Sequence, residues 1–351
     1  MGDGSGVFDR LDAMPRIRMA HLPTMLEQAP NLGADLGIAL WIKRDDCTGI
    51  GMGGNKVRQL EFYLGQAVAE GADAIAITGA VQSNFVRTAA AMAARLGMAA
   101  HLQLEDRTPH RTPLYLESGN VLLDRLLGAH LYHFPEGENE AGADARLGEI
   151  AGEIRAAGGR PYVIHLGPGH PPLGALGYVD MARELLGQIE SQGLAIDRVF
   201  VASGSAATHA GLLYGLRASG SDLPVQGICV RRTADLQAPR VLARCGEIAR
   251  LLDGPDVVRE RDVLVDDSML APGYGRLNPA TRDAIRRAAS REGQFLDPTY
   301  TAKVMAGLID FAERGDGAGE SWLFIHTGGQ PALFAYGDQL VGEGDAGDLP
   351  G

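Results

Sequence analysis

Apolar runs along this chain alternate with amphipathic stretches whose apolar residues fall three and four positions apart. ALWIKRDD (39–46) reads as a strand. In residues 56–70, Val57, Leu60, Leu64 and Val68 share one helical face, and Gly71 supplies a stop. ADAIAITGA (72–80) is a buried strand that runs into a glycine turn, and residues 83–97 form a helix that Ser83 or Asn84 can cap. The pattern continues with a strand at 98–105, a helix at 115–128 and a strand at 129–135. A charged helical stretch at 136–157 and a strand at 161–167 follow. A loop then leads into a helix around 177–188, and residues 197–220 repeat the strand, glycine turn, helix unit. Strands at 225–232 and from 320 complete the series. Such alternation predicts parallel sheets joined by right-handed crossovers, the α/β class. No period of 20 to 50 residues is visible, which excludes a solenoid.

Length adds a division. At 351 residues the chain exceeds what one hydrophobic core usually serves, so two lobes are expected. Its 48 glycines punctuate the apolar runs and form no low-complexity tract. The net charge of −12 argues against nucleic acid or an anionic membrane as partner. No run of 18 apolar residues predicts a membrane span. The start, MGDGSG, fits a myristoylation pattern loosely and is read as a flexible leader; the tail GEGDAGDLPG is read as disordered. There is no apolar leader, and Cys47, Cys229 and Cys245 are too scattered for a disulfide framework or a metal site. A cytoplasmic protein is expected.

Four turns carry the chemistry: GMGGNK, GAVQSN, ASGSAATH and HTGGQP. Each follows a strand or opens a helix, where open parallel sheets bind ligands, so one shared cleft for an anionic ligand is predicted. SGSAATH (203–209) is the best phosphate cradle, with Gly204 for close approach, hydroxyls at Ser203, Ser205 and Thr208, and the free N–H groups of a helix start. It has neither the Walker A nor the GxGxxG spacing, so the phosphate is not that of ATP or NAD. Lys56, directly after Gly53, Gly54 and Asn55, could hold a phosphate, react with a carbonyl or be solvated. Pyridoxal phosphate would give both the cradle and the lysine a task.

These motifs, with WIKRDDCTGIGMGGNKVRQLEF, GALGY, APGYG, LDPTYTAKVMAGLIDF and FIHTGGQPALFAY, run in order from about residue 15 to 337. The chain resembles the D-cysteine desulfhydrase and 1-aminocyclopropane-1-carboxylate deaminase family, which is pyridoxal-phosphate-dependent and related in fold to the tryptophan synthase β-chain. The resemblance implies fold type II: two open twisted parallel-sheet lobes with the cofactor between them. The large lobe would comprise residues 1–57 and 176–351 and the small one 58–175. It also implies a homodimer acting on a small amino acid, with no nucleic-acid, membrane or metal partner.

By the same resemblance, Lys56 bonds to the cofactor aldehyde and Asn84 hydrogen-bonds its phenolic oxygen. Gly204, Ser205, Ala206, Ala207 and Thr208, with Thr327 and Gly328, would surround the phosphate and ring. Ser83 matches a serine beside the substrate, with helix capping as its rival role. Tyr274 and Tyr300 match two substrate-facing tyrosines, though core aromatics would read the same. Thr301 matches the residue facing the pyridine nitrogen, where the deaminase branch carries a glutamate. A threonine cannot keep that nitrogen protonated, which favours departure of a good leaving group over opening of a cyclopropane.

Three departures from the family pattern stand out. Phe85 replaces a polar residue, Gln59 replaces a lysine and weakens a phosphate contact, and the 167–173 loop is altered and places His165 and His170 nearby. The reading that follows is β-elimination on a small amino acid: D-cysteine to pyruvate, sulfide and ammonia. Alternatives are an aminocyclopropane-carboxylate deaminase, a cysteate sulfo-lyase, whose sulfonate needs a basic residue that the sequence does not place, and a non-catalytic pyridoxal-phosphate-binding protein.

Overall fold

A computed structural model describes residues 5–340 except 166 and 168. The tail, residues 1–4 of the leader and Pro168 of the altered loop lie outside the described residues. The chain begins with α1 (Ser5–Ala13), β1 (Leu26–Gln28), α2 (Pro30–Leu36), β2 (Ala39–Lys43) and α3 (Lys56–Ala69). It continues through β3 (Ala74–Ala80), α4 (Asn84–Arg95), β4 (Ala99–Glu105), α5 (Pro113–Glu117), α6 (Gly119–Leu126) and β5 (His130–Phe134). Then come α7 (Glu140–Ala156), β6 (Pro161–Ile164), α8 (Leu173–Ser191), β7 (Arg198–Ser203), α9 (Ala207–Ala218) and β8 (Val225–Cys229). The last third holds α10 (Ala234–Leu251), β9 (Leu264–Asp266), α11 (Pro279–Glu292), α12 (Thr301–Glu313), β10 (Ser321–Ile325), α13 (Gln330–Phe334) and α14 (Gly337–Leu340).

Two sheets form. One has the order β1-β2-β10-β7-β8-β9 and the other β5-β4-β3-β6. All pairings are parallel except β1 with β2, which is antiparallel and departs from the all-parallel expectation. The chain between β1 and β2 holds only the seven-residue α2, so it turns back instead of crossing over. Every residue of β3 and of β8 is buried, which is why both read as unbroken apolar runs. Among the described residues no helix is long and apolar enough to cross a membrane.

Three expected elements differ, each for a packing reason. The helix at 115–128 is two, α5 and α6, broken at Ser118 before Gly119, which has φ +59°. A Cβ there would lie 2.6 Å from Gln82 Oε1 and 2.7 Å from the Pro331 carbonyl, so the chain passes through a gap only glycine fits. The helix expected at 177–188 begins earlier, at Leu173, because the glycines of GALGY are contact points between helices. A Cβ on Gly177 would meet the Arg58 carbonyl of α3 at 2.3 Å, and one on Gly211 of α9 would meet the Ala175 carbonyl at 2.3 Å. Third, the strand expected over 39–46 ends at Lys43, and Asp45 begins a short 3-10 turn.

That turn belongs to a buried ionic network under the lysine helix. Arg58 lies 2.9 Å from both Asp45 and Glu184, and Lys43 reaches Glu184 at 2.5 Å. Tyr178 donates to Asp45 Oδ2 at 2.6 Å. Burial alone would raise the Asp45 carboxyl; Arg58 and Lys43 hold it below the usual range, so it stays ionised. The network clamps β2, α3 and α8 together and so fixes where α3 begins.

Candidate active site

Lys56 opens α3, and its glycine turn cannot be built from other residues. Gly53 has φ +67°, and a Cβ on it would lie 2.1 Å from the Asp46 carbonyl oxygen. The turn is fastened to the HTGG turn: Asn55 N–H donates to the Thr327 carbonyl at 3.0 Å, and Gly328 approaches so closely that its Cβ would be 2.7 Å from Gly54 Cα. It is fastened to the SGSAATH turn as well, since Asn55 Nδ2 and Gln59 Nε2 donate to Thr208 Oγ1 at 3.0 and 2.8 Å. Arg87 of α4 completes the clamp by donating to the carbonyls of Gly51 and Gly53. The expected single cleft is thus present. Asn55, Lys56, Gln59, Ser83, Asn84, Phe85, Gly204, Ser205, Ala206, Ala207, Thr208, Tyr274, Tyr300, Thr327 and Gly328 all line it. It encloses about 1410 Å³ with the solvent at its mouth.

Lys56 Nζ faces this cleft 3.4 Å from Gln59 Oε1 and 5.7 Å from the centre of the Phe85 ring. Its ammonium is lowered to about 8 by burial, against the pull of Asp297. The neutral form, which an amine needs in order to act as a nucleophile or base, is therefore far more accessible near physiological pH than for an ordinary lysine.

Across from it Ser83 caps α4 and accepts from Val86 N–H at 3.2 Å, leaving its own O–H proton uncommitted by that bond. The Asn84 side-chain oxygen accepts from Asn120 Nδ2 at 2.9 Å, and Arg87 Nε in turn bonds Asn120 Oδ1 at 3.1 Å. With its oxygen taken, Asn84 has its amide N–H groups to offer a ligand. At the third turn Ala206 has φ +73°, rare for a residue with a side chain, and it precedes the free N–H groups of twelve-residue α9. Strain of this kind collects at ligand sites. The donor set fits pyridoxal phosphate: a helix start for the phosphate, amide donors for the phenolate and a neutral amine for the aldehyde.

Tyr274 and Tyr300 share a hydrogen bond of 2.6 Å between hydroxyls. Burial raises both phenols, so both remain protonated at neutral pH; one hydroxyl donates to the other, and the acceptor keeps its own proton to offer a ligand. His165 lines the cleft, stacks on His170 at 3.7 Å and approaches Asp144 Oδ1 at 3.4 Å. His170 is not among the lining residues.

One expectation needs correction. Thr301 is wholly buried and does not line the cleft; its Oγ1 donates to Asp297 Oδ1 at 2.8 Å and accepts from Asp297 N–H at 2.7 Å. The backbone N–H groups of Thr299, Tyr300 and Thr301 also donate to the Asp297 carboxylate, which draws the LDPTYT turn around it. Gln59, read as weakening a phosphate contact, has a structural task as well: it holds the Thr208 hydroxyl in place.

Sequence reasoning missed four arginines. Arg107, Arg231, Arg240 and Arg244 line the cleft, with Glu105, Glu140 and Asp144 among them. They come from the end of β4, the end of β8 and one face of α10, and no short motif joins these segments. Asp297 was quoted only as a letter of LDPTYT, and its influence on Lys56 emerges in three dimensions.

The profile of the "Pyridoxal-phosphate dependent enzyme" family matches residues 17–328. The chain is 44% identical over 328 residues to the D-cysteine desulfhydrase of Salmonella paratyphi B, covering 93% of this chain and 97% of that one. It is 43% identical to that of Salmonella newport over 327 residues, with the same shares covered. A solved structure of an ACC deaminase homologue superposes with a TM-score of 0.83 at 36% identity, over 95% of this chain and 98% of that one. A threonine deaminase isoform from Solanum lycopersicum, at 17% identity and a TM-score of 0.64 over 93% of this chain and 90% of that one, shares the fold. With the profile spanning most of its length and the lysine, amide and helix start in place, the chain belongs to the pyridoxal-phosphate-dependent enzymes.

Proposed function

We propose that the protein catalyses β-elimination on a small amino acid, converting D-cysteine to pyruvate, sulfide and ammonia. The observation that carries this reading is that the Lys56 amine, lowered to about 8, lines one cleft with the hydrogen-bonded Tyr274–Tyr300 pair. The names of the Salmonella relatives supply the substrate. In this reading residues 204–208 would hold the cofactor's phosphate at the start of α9, Asn84 would donate to its phenolic oxygen and Lys56 would be the amine that holds its aldehyde. When bound, pyridoxal phosphate supplies an electron-accepting ring conjugated with the substrate Cα. Lys56 receives the Cα proton. The tyrosine pair donates a hydrogen bond to the departing sulfur, and the edge-on Tyr63–Phe85 contact, 6.1 Å between centres, keeps water from one wall.

The lobe division at 1–57 with 176–351 against 58–175 is supported by the strands, since β3 to β6 come only from the second range. A homodimer is part of the proposal. Leu122 and Leu126 lie one turn apart on α6, 48% and 74% exposed, with Leu114 and Phe334 on neighbouring elements. Sedimentation should give a dimer that Leu126→Lys weakens; an unchanged monomer would remove this face from consideration. The cytoplasmic assignment is supported by the free thiols of Cys47, Cys229 and Cys245.

The test is direct. The purified protein with pyridoxal phosphate and D-cysteine should release pyruvate and sulfide in equal amounts. Absence of both, with the cofactor's visible band present, refutes the reading.

A further inference from the structure

An amide side chain presents a donor or an acceptor according to which way it is turned, and its two ends are nearly the same size. For Asn84, which lines the cleft, that choice decides whether a ligand oxygen meets N–H groups or a lone pair. The choice is made by a chain of bonds anchored on two groups of fixed character. A guanidinium only donates, and Arg87 Nε bonds Asn120 Oδ1 at 3.1 Å. A backbone carbonyl only accepts, and Asn120 Nδ2 donates to that of Gln82 at 3.1 Å. The Asn120 amide is therefore held in one orientation from both ends. Its Nδ2 also donates to Asn84 Oδ1 at 2.9 Å, so Asn84 spends its oxygen there and keeps its N–H groups for the cleft.

This chain of bonds is built into the fold. Asn120 and Arg87 are both buried, and neither lines the cleft. The Asn120 backbone N–H donates to Gln82 Oε1 at 2.9 Å, and Gln82 Nε2 bonds the carbonyls of Tyr115 and Ser118 at 2.6 and 3.0 Å. The break between α5 and α6 thus serves to set Asn120 in place. On the other side Gly329 leaves room for the amide, since a Cβ on it would lie 2.7 Å from Asn84 Nδ2. The guanidinium that orients Asn120 also holds the Gly51 and Gly53 carbonyls of the lysine turn, so one buried group fixes both the place of Lys56 and the direction of Asn84. Asp124, which acts on Arg87 from α6, makes no hydrogen bond to it and does not draw it off these acceptors.

We infer that Asn120 is a positioning residue for the cofactor: it touches no ligand, and by occupying the Asn84 oxygen it commits the Asn84 N–H groups to the cofactor's phenolic oxygen. This rests on the reading that Asn84 meets that oxygen, and it names the group that makes Asn84 a donor there. The inference has a sharp consequence. Asn120→Asp keeps the shape of the side chain and its bond from Arg87, and replaces the donating end by an acceptor. Asn84 must then turn its N–H groups to the new carboxylate and its oxygen to the cofactor, where two acceptors face each other.

The experiment is a double-mutant cycle on the full chain: Asn84→Ala, Asn120→Asp and the two together. It reads the affinity of each apoprotein for pyridoxal phosphate and the pH midpoint of the loaded protein's visible band, with thermal unfolding as the check on folding. Asn84→Ala should weaken binding about tenfold and raise the midpoint, because a phenolate without a donor holds the neighbouring proton more tightly. Asn120→Asp should weaken binding at least as much and raise the midpoint as well. In the Asn84→Ala background it should add less than about twofold, since there is no amide left to turn. The direct effect of its charge is present in both backgrounds and cancels in the cycle, and Lys56, Arg87, Asp124 and Asp297 are the same throughout. Should Asn120→Asp fail to fold, Asn120→Ala takes its place, with a loss of about threefold that likewise vanishes without Asn84. Equal effects in both backgrounds, or an effect of Asn84→Ala with none of the Asn120 variants, overturn the inference and leave the reading of Asn84 standing. No effect of Asn84→Ala on either quantity removes that reading and the inference with it. Turnover of D-cysteine enters none of these measurements, so the outcome does not depend on the elimination reading.

Discussion

The two walls of the cleft are built by different means. The cofactor wall is made of turns tied mostly by neutral hydrogen bonds, Asn55 to Thr327 and Thr208, Gln59 to Thr208 and Asn120 to Asn84, with Arg87 as the one charged donor among those named above. Glycines at 53, 54 and 328 let backbones approach to a distance no Cβ would allow. The opposite wall is made of long charged side chains, Arg107, Arg231, Arg240 and Glu140, which come from four places: the segments after β4 and β8, the start of α7, and α10. Backbone turns fix atoms to within tenths of an ångström, which covalent capture of a cofactor requires. Guanidiniums on flexible stems suit the recognition of a varied substituent and tolerate exchange. Changes on the first wall should therefore abolish function, and changes on the second should redirect it.

The largest effect tests the first half of that contrast. Lys56→Ala should purify without the visible band of the bound cofactor, and pyruvate release should fall by at least about 10²–10⁴-fold, the scale of a lost base. Its pH dependence follows from the amine at about 8. The neutral form reacts, so covalent uptake of pyridoxal phosphate by apoprotein should speed up about tenfold per pH unit below 8 and level off above it. A rate that falls as pH rises would contradict a lysine nucleophile.

Next in size is the support beneath that wall. Asp45→Ala leaves Arg58, which is fully buried, with only the Glu184 side of its pairing, so unfolding free energy should drop by about 3–5 kcal/mol. A loss under about 1 kcal/mol in denaturant titration would show that the network does not hold α3 in place.

Legibility followed the same contrast. The lysine turn, the SGSAATH and HTGG turns and the tyrosines were recognisable as parts of one cleft because each is a short contiguous motif whose glycines or caps have one local purpose. The helices α10, α11 and α12 were not read: α10 carries Pro239 inside it, and α11 has a strongly polar surface with only Thr281, Ala284, Ile285 and Ala288 buried. The GALGY glycines were mistaken for loop because a turn and a close helix contact demand the same residue. Asp45 looked like part of a strand end, and its charge made sense only once Arg58 and Glu184 came beside it. The arginine wall had no local signature at all.

A smaller effect concerns the reaction class. Thr301 lies outside the cleft lining with its hydroxyl spent on Asp297, so in the proposed reading it gives the cofactor ring no charged support. A weakly supported ring favours substrates whose leaving group departs readily. D-cysteine should exceed 1-aminocyclopropane-1-carboxylate by at least about a hundredfold in kcat/KM, or about 2.7 kcal/mol. Equal rates would show that Asp297, acting through Thr301, supplies what the deaminase branch's glutamate does.

The smallest effect separates two roles of one residue on the cofactor wall. Ser83 Oγ accepts from Val86 N–H at 3.2 Å and so caps α4, yet the residue also lines the cleft. Removing a cap costs about 1 kcal/mol of stability. β-Elimination needs a base at Cα and a donor to the leaving group, roles that the proposed reading gives to Lys56 and the tyrosine pair. Ser83→Ala should therefore lower unfolding free energy by about 1 kcal/mol while changing kcat for D-cysteine less than about fivefold. Ser83→Asp, which keeps a capping oxygen, should recover the stability and, by setting a carboxylate beside the substrate, raise KM more than it lowers kcat. If Ser83→Ala instead costs a hundredfold in kcat with stability unchanged, the hydroxyl acts on the substrate and the cap is incidental.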